Sequence, residues 1–479
     1  MKKLAFLAIS LLCLVPTAAQ ARPGGLDPSF GQHGKLLLHL PQAESPLARG
    51  YMNLPAPAAM AMDTGPGGIV AAATSLQVIE RTRDGGVNSR FGGDGRVTIV
   101  PPSGWEFELA DLAVDSRGHV LVAGTLASLT ATATQDPPQY NEGRDAEGPR
   151  PRLGIVYRYL PDGKLDPSFG SGGIASGNFL QKPPFGPGPF NYEYSTPAVG
   201  LIGLAVAGDD EVVVTGFSAA HAGVGCYFTS PLFSTTRSFV ARLRSDGSLN
   251  PSFGLEGVLT EEQLERLAPP AVSRDRRIAL DGASGGYCGI RGPAESNRLL
   301  ALLGEGRVDG GFGSNGGLSL PALTIAAVSF DSRGRLLVVG RRSASPAREA
   351  QGGEWRVRRL LRNGSPDPSF GRNGTAAPKL PPEATLSHLA VDRRGRVVLA
   401  GSALQASFLL VTRLSPSGHR EPGFGRHGFT LTNMRTEETP GLQVTVDRRG
   451  RALVGGAIGD FTGSTYLIDG LAFARYQDR

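Results

Sequence analysis

Six aspartates are the first candidates for a functional site. Each of them follows a short apolar segment, and their carboxyl groups could bind a cation. Carboxylates brought together from several segments could form a ring that attracts a divalent cation, which prefers several oxygen ligands. Alternatively, each aspartate caps its own turn through a bond from side chain to backbone. The sequence favours the caps. The six positions are Asp63, Asp115, Asp281, Asp331, Asp392 and Asp447.

An arginine recurs in another set of apolar segments, and in four copies an acidic or amide residue follows eight positions later. The pairs are Arg158 with Asp166, Arg242 with Asn250, Arg359 with Asp367 and Arg413 with Glu421, and Arg475 is a fifth copy. Catalytic groups do not come in five copies, so the pattern predicts a charged hydrogen bond that ties each turn to its strand. The fourth repeat has Ala301 at the arginine position.

One segment, Gly282-Ala-Ser-Gly-Gly286, has the letters of a nucleophile elbow around Ser284. That motif needs a strand-to-helix turn with histidine and acidic partners, whereas this segment is expected in a hairpin. The seven histidines show no metal-ligand spacing. We therefore expect a non-catalytic protein, and we assign no catalytic residue, metal ion or cofactor.

A Phe-Gly pair recurs seven times in the phrase Gly-x-[Leu/Val/Pro]-[Asp/Asn]-x-x-Phe-Gly-x-x-Gly. Gly-rich loops can cradle anions on backbone amides. A structural role explains the phrase more simply, because phenylalanine can fill the gap between repeats while glycine allows positive φ. The phenylalanines are Phe30, Phe91, Phe169, Phe253, Phe312, Phe370 and Phe424.

The residues between these pairs predict four short β-strands in each repeat. In the second repeat the β-rich segments are 96–100, 112–115, 120–124 and 155–159, separated by turn residues. Seven four-stranded units predict an all-β fold, a seven-bladed β-propeller. The segment 36–40 supplies the strand that the last repeat lacks, so we expect it to complete the last blade and close the ring. An open β-solenoid is the alternative fold.

The chain resembles delta-60 repeat proteins, a family of exported bacterial repeat proteins. The resemblance is carried by Leu26-Asp27-Pro28-Ser29-Phe30-Gly31, by two further copies at 165–170 and 249–254, and by a downstream Asp-x-x-Gly turn. It covers essentially the whole chain after residue 21. The family implies a propeller-like repeat array but no defined activity and no catalytic residues.

Residues 1–21 are typical of a cleaved export signal, ending in Ala19-Gln20-Ala21, so we expect residues 22–479 to form a single exported domain in the periplasm or outside the cell. Cys226 and Cys288 would then form a disulfide, or else stay as two buried thiols. No apolar segment after the signal is long enough to enter a membrane. The net charge of +6 is weak, so nucleic acid is not an expected partner, and we expect a monomer.

The long insertions should all lie on one face of the propeller, because they occupy two kinds of connection that share an end of the blades. Their ranges are 41–57, 126–152, 178–199, 218–237, 260–275 and 341–354. This face is the expected binding surface for a protein or glycan. Its aromatic residues could stack on sugars or dock a partner, or could pack together and order the loops. The candidates are Trp105, Phe185, Phe190, Tyr192, Tyr194, Tyr227 and Phe228.

These observations predict an exported binding or scaffold propeller. A hydrolase or lactonase with a metal at the channel mouth is the alternative, and it would need carboxylates or histidines that converge there.

Overall fold

The structure is a computed structural model, and it describes residues 22–45, 60–129, 152–176, 179, 198–220, 235–261, 269–283, 297–321, 323–342, 354–403, 408–434, 442–461 and 466–478. These residues contain 28 strands, arranged as seven antiparallel sheets of four. The fold is therefore all-β, and the predicted number of repeats and of strands per repeat is confirmed.

The first strand of the chain, β1 (Lys35–Ser45), belongs to the last sheet, and the following strands form blades in chain order. Blade 1 consists of β2 (Ala61–Thr64), β3 (Val70–Ala73), β4 (Gln77–Arg81) and β5 (Arg96–Thr98), with a 3₁₀ turn at Pro66–Gly68. Blade 2 consists of β6 (Trp105–Val114), β7 (Val120–Ser128), β8 (Arg152–Tyr159) and β9 (Ile174–Ser176). Blade 3 consists of β10 (Ala198–Val206), β11 (Val212–Ala220), β12 (Thr235–Leu243) and β13 (Val258–Glu261).

The remaining blades repeat this order. Blade 4 consists of β14 (Ala271–Val272), β15 (Ile278–Ala283), β16 (Asn297–Leu302) and β17 (Gly317–Ser319). Blade 5 consists of β18 (Leu323–Phe330), β19 (Leu336–Arg342), β20 (Glu354–Leu360) and β21 (Thr375–Ala376). Blade 6 consists of β22 (Thr385–Val391), β23 (Val397–Ala403), β24 (Phe408–Leu414) and β25 (Phe429–Asn433). Blade 7 consists of β26 (Gln443–Val446), β27 (Ala452–Phe461), β28 (Tyr466–Tyr476) and β1.

The ring is closed by the two ends of the chain, as predicted. Strand β1 lies antiparallel to β28, with Leu36 opposite Phe473 and Leu38 opposite Leu471. The first strand of each blade contacts the first strand of the next, and β26 contacts β2. The seven first strands therefore surround the axis of the ring, and the open β-solenoid is excluded.

The second strands are apolar on both sides because each sheet is covered by two neighbours. All residues of β7 are buried. Val120 and Val122 pack toward Ala71 of blade 1, whereas Leu121 packs toward Leu204 of blade 3. Burial of alternate residues against two different sheets explains why these segments are continuous apolar runs rather than alternating ones.

The two faces of the ring carry different connections. On the long-connection face, second strands join third strands and each outer strand joins the next blade. On the tight-turn face, first strands join second strands and third strands join fourth strands. Every connection between residues 45 and 466 that lies wholly or partly outside the described residues joins strand ends on the long-connection face.

Three assignments made from the sequence are wrong in detail. Asp63 lies inside β2 opposite Ala71, and Asp281 lies inside β15, the second strand of blade 4, so neither follows a first strand. The first strand of blade 4 is β14, which falls within the insertion expected at 260–275. Trp105 begins β6 and is not part of a connection. Asp63 and Asp281 were each taken for the residue that follows a strand, although both lie within one.

Candidate functional site

Two carboxylates on first strands come closest to the predicted acidic ring. Asp63 of blade 1 accepts hydrogen bonds from the backbone N–H groups of Thr64 at 2.7 Å and of Val114 in blade 2 at 3.0 Å. Asp111 of blade 2 accepts from the N–H of Leu112 at 2.8 Å and from that of Leu204 in blade 3 at 3.0 Å. Each carboxylate thus uses both oxygens to bind backbone, and each links two blades.

The pKa values of both carboxyl groups are raised. Burial raises the pKa of Asp63 to about 6, although the two N–H donors oppose the rise. Burial also raises the pKa of Asp111 to about 7, with a further contribution from the nearby charge of Asp63. Desolvation penalises the charged form of each carboxyl group and exceeds the effect of the hydrogen bonds.

Two uncharged side chains make the same link at other junctions, and sequence analysis did not find them. In blade 6, His388 Nδ1 lies 3.4 Å from the N–H of Val444, and burial lowers the pKa of this histidine to about 4. In blade 7, Gln443 Oε1 accepts from the N–H of Met62 at 2.7 Å. Asp111, His388 and Gln443 occupy the same register position of their first strands but share only an acceptor atom, and Asp63 lies two positions further along. No single residue type or position therefore marks the link in the sequence.

Four of the six recurring aspartates lie where a turn cap is needed. Asp115 Oδ1 accepts from the N–H groups of Arg117 at 2.9 Å and His119 at 2.8 Å. The same two bonds, to the second and fourth following residues, are made by Asp331, Asp392 and Asp447. These carboxylates order their own turns. They do not form the cation-binding ring that was the alternative.

The recurring arginines form buried ion pairs. The Nε atoms of Arg158 and Arg359 lie 2.8 Å from Asp166 and Asp367, and Arg413 Nε lies 2.5 Å from Glu421. Hydrogen bonds from Ser369 and Arg359 outweigh the burial of Asp367 and hold its pKa at about 2.

Blade 3 arranges the same groups differently. Arg242 pairs with Glu211 at 2.5 Å, and the side-chain amide of Asn250 donates to that glutamate at 2.9 Å. The arginine therefore keeps an acidic partner, although the residue eight positions later is an amide.

Each network extends to the next blade through the same guanidinium group. Arg158 donates to the carbonyl oxygen of Ser245 in blade 3, and Arg475 donates to that of Arg83 in blade 1. The guanidinium carbon of Arg158 also lies 4.4 Å from the centre of the Phe169 ring. Arg359, Arg413 and Arg475 lie 4.5–4.7 Å above the equivalent rings. These contacts combine charge with cation–π attraction in a buried position.

Blade 4 makes the same contacts with another arginine, whereas blade 1 keeps only the bond between strand and turn. In blade 4, Arg277, which directly precedes the second strand, replaces the missing arginine. Its guanidinium group lies 3.0 Å from Asp309 and donates to the backbone carbonyl oxygen of Arg362 in blade 5 at 2.9 Å. In blade 1, Glu80 occupies the arginine position and accepts from Asn88 at 2.6 Å. Burial raises the pKa of Glu80 to about 7.

The Phe-Gly pairs join every blade to the next. All seven phenylalanines are buried. The N–H of each following glycine donates to a carbonyl oxygen in the neighbouring blade at 2.7–2.9 Å, as in Gly92 to Asp162 and Gly371 to Ser417. These glycines have φ between +51° and +64°, a conformation in which glycine bears no steric cost. The phrase is therefore a connector between blades.

The described part of the long-connection face exposes three aliphatic side chains on blades 1 and 2. Leu76, Val100 and Leu129 are 44%, 76% and 52% exposed. The N–H of Ile99 donates to the carbonyl oxygen of Leu76, so Val100 lies close to Leu76 along the backbone. The N–H of Leu129 donates to the carbonyl oxygen of Gly104. Trp105 is partly buried and packs on the core shared by the two blades.

Most of the predicted binding residues lie outside the described residues. This holds for Phe185, Phe190, Tyr192, Tyr194, Tyr227 and Phe228, for both cysteines of the expected disulfide, Cys226 and Cys288, and for Ser284. Of the aromatic candidates, the structure describes Trp105.

The described residues hold no group of three or more His, Cys, Asp or Glu side chains arranged to bind a metal ion. None of the helical segments in the same part of the chain has the length and apolar character needed to cross a membrane.

The family described as "Domain of unknown function (DUF5122) beta-propeller" matches residues 224–253 and 334–370. No curated protein matches the chain. A solved protein of unknown function from Dyadobacter fermentans is 11% identical, with 77% of this chain and 95% of that chain covered and a TM-score of 0.42.

Two enzymes have similarly low values. The polysaccharide lyase Uly1 is 8% identical (92% and 100% covered, TM-score 0.46), and a gluconolactonase from Xanthomonas campestris is 12% identical (92% and 99% covered, TM-score 0.32). Similarity this low carries no activity to the present chain. The chain is thus a seven-bladed β-propeller protein, similar in two segments to a propeller family of unknown function.

Proposed function

We propose that this protein is a non-catalytic binding or scaffold propeller, exported to the periplasm or beyond, that docks a partner on the long-connection face. Three exposed aliphatic side chains on neighbouring blades of this face, Leu76, Val100 and Leu129, are the observation that supports this function. Exposed apolar surface is a common feature of protein–protein contacts. Aliphatic groups cannot form hydrogen bonds with sugar hydroxyls, so these side chains favour a partner protein over a glycan.

The use of the described polar groups also supports a scaffold. The buried arginines, the capping aspartates and the Phe-Gly pairs all hold turns and blades together. The first-strand carboxylates of raised pKa, Asp63 and Asp111, use their oxygens for backbone N–H groups. A catalytic acid or a metal ligand would need at least one oxygen directed at its substrate or ion.

Photo-crosslinking tests the proposed face. A photo-reactive residue at position 100 should give one discrete adduct when the protein is expressed with its own leader, and Leu129→Asp should abolish that adduct. Leu255 is the matched control, because it is 64% exposed and lies on the tight-turn face. Equal adducts from positions 100 and 255, or none from position 100, would contradict the proposal.

The hydrolase or lactonase alternative predicts a metal-dependent change in thermal stability. A metal held by first-strand carboxylates would raise the melting temperature when Ca²⁺ is added, and Asp63→Asn with Asp111→Asn would remove the rise. For a non-catalytic scaffold we expect the same melting temperature in Ca²⁺ and in a chelator.

A further inference from the structure

The turns between first and second strands carry more arginine than their geometry requires. In blades 2–7 each turn has two central positions, and seven of these twelve residues are arginine. The turn needs the capping aspartate and, in most blades, a glycine of positive φ, as at Asp331 and Gly334. The central side chains point to solvent and are not needed for either feature.

Four of these arginines are exposed on blades 5–7 and form no ion pair in the described structure. They are Arg333 of blade 5, Arg393 of blade 6, and Arg448 and Arg449 of blade 7, and we refer to these four as the basic crescent. Two of the three other turn arginines have acidic partners: Arg117 lies 3.7 Å from Asp210, and Arg394 lies 2.9 Å from Asp478. The third, Arg274 of blade 4, is exposed and forms no ion pair in the described structure.

The charge on this face is unevenly distributed around the ring. The described tight-turn residues of blades 5–7 include no exposed acidic side chain, and the outer turns add the exposed Arg372, Arg420 and Arg426. Blades 1–3 instead expose aspartates on the same face. These are Asp84, Asp94, Asp162, Asp209 and Asp246. Unpaired like charges on neighbouring turns raise one another's energy, so an anionic ligand would relieve repulsion as well as form new bonds.

We propose that the basic crescent binds an acidic polysaccharide, a linear polymer whose carboxylate groups repeat along the chain. Guanidinium groups pair with carboxylates through two parallel hydrogen bonds, and the arginines succeed one another from blade to blade around the axis. A narrow polymer can follow this arc without meeting the aspartates of blades 1–3. The site is on the opposite face from the proposed protein-docking surface and acts independently of it.

The same observations count against other polyanions. A flat anionic membrane would contact the acidic half of the face together with the basic half. Single-stranded nucleic acid is held largely by stacking on aromatic rings, and the phenylalanines in the described turns of blades 4–7 are buried. A protein partner would need apolar anchors at the centre of its contact, whereas the crescent consists of arginine beside serine and glycine.

Binding of the purified protein to polygalacturonate, measured by calorimetry at 50 mM and 300 mM NaCl, tests the proposal. We expect saturable binding. The affinity should fall at least tenfold at the higher salt concentration, because binding releases counterions from the polymer and their release is less favourable in concentrated salt. The variant Arg333→Gln/Arg393→Gln/Arg448→Gln should lose at least tenfold in affinity. The control, Arg83→Gln/Arg90→Gln/Arg244→Gln on blades 1–3, removes the same charge from the same face and should bind within twofold of wild type.

Melting temperatures of both variants near that of the wild type would show that folding is intact. Equal losses in the two variants would overturn the proposal, as would the absence of binding to polygalacturonate. Tighter binding to phosphatidylglycerol vesicles or to single-stranded DNA than to polygalacturonate would also overturn it, because the crescent would then serve a different polyanion.

Discussion

The backbone N–H of Gly425 donates a hydrogen bond to the carbonyl oxygen of Pro23 over 2.7 Å. At every other junction the equivalent glycine donates to a residue later in the sequence, in the next repeat, as in Gly31 to Asp84. At this junction the glycine of the last Phe-Gly pair donates instead to the N-terminal segment of the chain. Asp27 completes the closure, since it lies 2.8 Å from both Arg451 and Arg475 of blade 7.

Truncation of Leu38 should destabilise the ring through its closing strand. Leu38 is 7% exposed and packs in the core between blades 7 and 1, so Leu38→Ala should lower the free energy of unfolding by about 2–4 kcal/mol. The neighbouring Leu37 is 45% exposed. Leu37→Ala should therefore change the free energy of unfolding by no more than about 0.5 kcal/mol. Urea unfolding measures both values, and equal effects would mean that β1 is not docked.

Replacement of Arg277 should show that it takes over the role of the missing arginine of blade 4. Arg277→Gln leaves Asp309 without its guanidinium partner and should cost about 2–4 kcal/mol in the free energy of unfolding. Arg276 is half-exposed and forms a surface pair with Asp209, so Arg276→Gln should cost at most about 1 kcal/mol. A small cost at both positions would show that the blade does not depend on the buried pair.

Addition of a methyl group at Gly371 should disrupt the connector of blades 5 and 6. A Cβ atom there would lie 2.1 Å from the carbonyl oxygen of Thr375, at a φ of +56°. Gly371→Ala should therefore cost more than about 2 kcal/mol, the sum of backbone strain and a steric clash. Gly423 in the next connector has open space around its Cβ position, and Gly423→Ala should be tolerated. Thermal unfolding would separate the two, and a mild Gly371→Ala would contradict the tight packing of the connector.

Stability should depend on the protonation of His388. Burial lowers its pKa from an ordinary value near 6.5 to about 4, so the folded state binds a proton less readily than the unfolded chain. The stability that neutral His388 contributes is fully present above pH 6.5 and is lost as the pH falls from 6.5 toward 4. His388→Gln keeps an acceptor that does not titrate.

The melting temperature of wild type relative to His388→Gln should therefore fall between pH 6.5 and pH 4. Asp63 and Asp111 titrate in the opposite sense over part of this range, because their pKa values are raised. Their effect is common to both proteins and cancels in the difference. A difference in melting temperature that does not change with pH would show that His388 titrates normally in the folded protein.

The sequence predicted the elements that repeat and missed those that vary. Phe30 and its counterparts, and the caps at Asp331, Asp392 and Asp447, stand at fixed positions, so their role follows from recurrence. Arg277 could not be assigned from sequence, because it reaches the same space from a different strand. Asp63 was misplaced because the turn that follows β2 has Gly65 where blades 2, 5, 6 and 7 have the capping aspartate.

The candidate surfaces were predictable only in outline. Strand order alone places the variable connections on one face, as expected from the sequence. The basic crescent was not foreseen, because the 43 arginines of the chain look like a compositional bias until the structure separates the buried ones from the exposed ones. Exposure of a turn residue and its distance from the nearest carboxylate cannot be derived from local sequence.

Hydrogen exchange of the amides in segment 35–39 tests the closed ring most directly. If β1 completes blade 7, these amides should be protected to the same degree as those of β25 (Phe429–Asn433), the outer strand of blade 6. Exchange of segment 35–39 at the rate of an unstructured chain, while β25 stays protected, would contradict the closure of the propeller by its N-terminal strand.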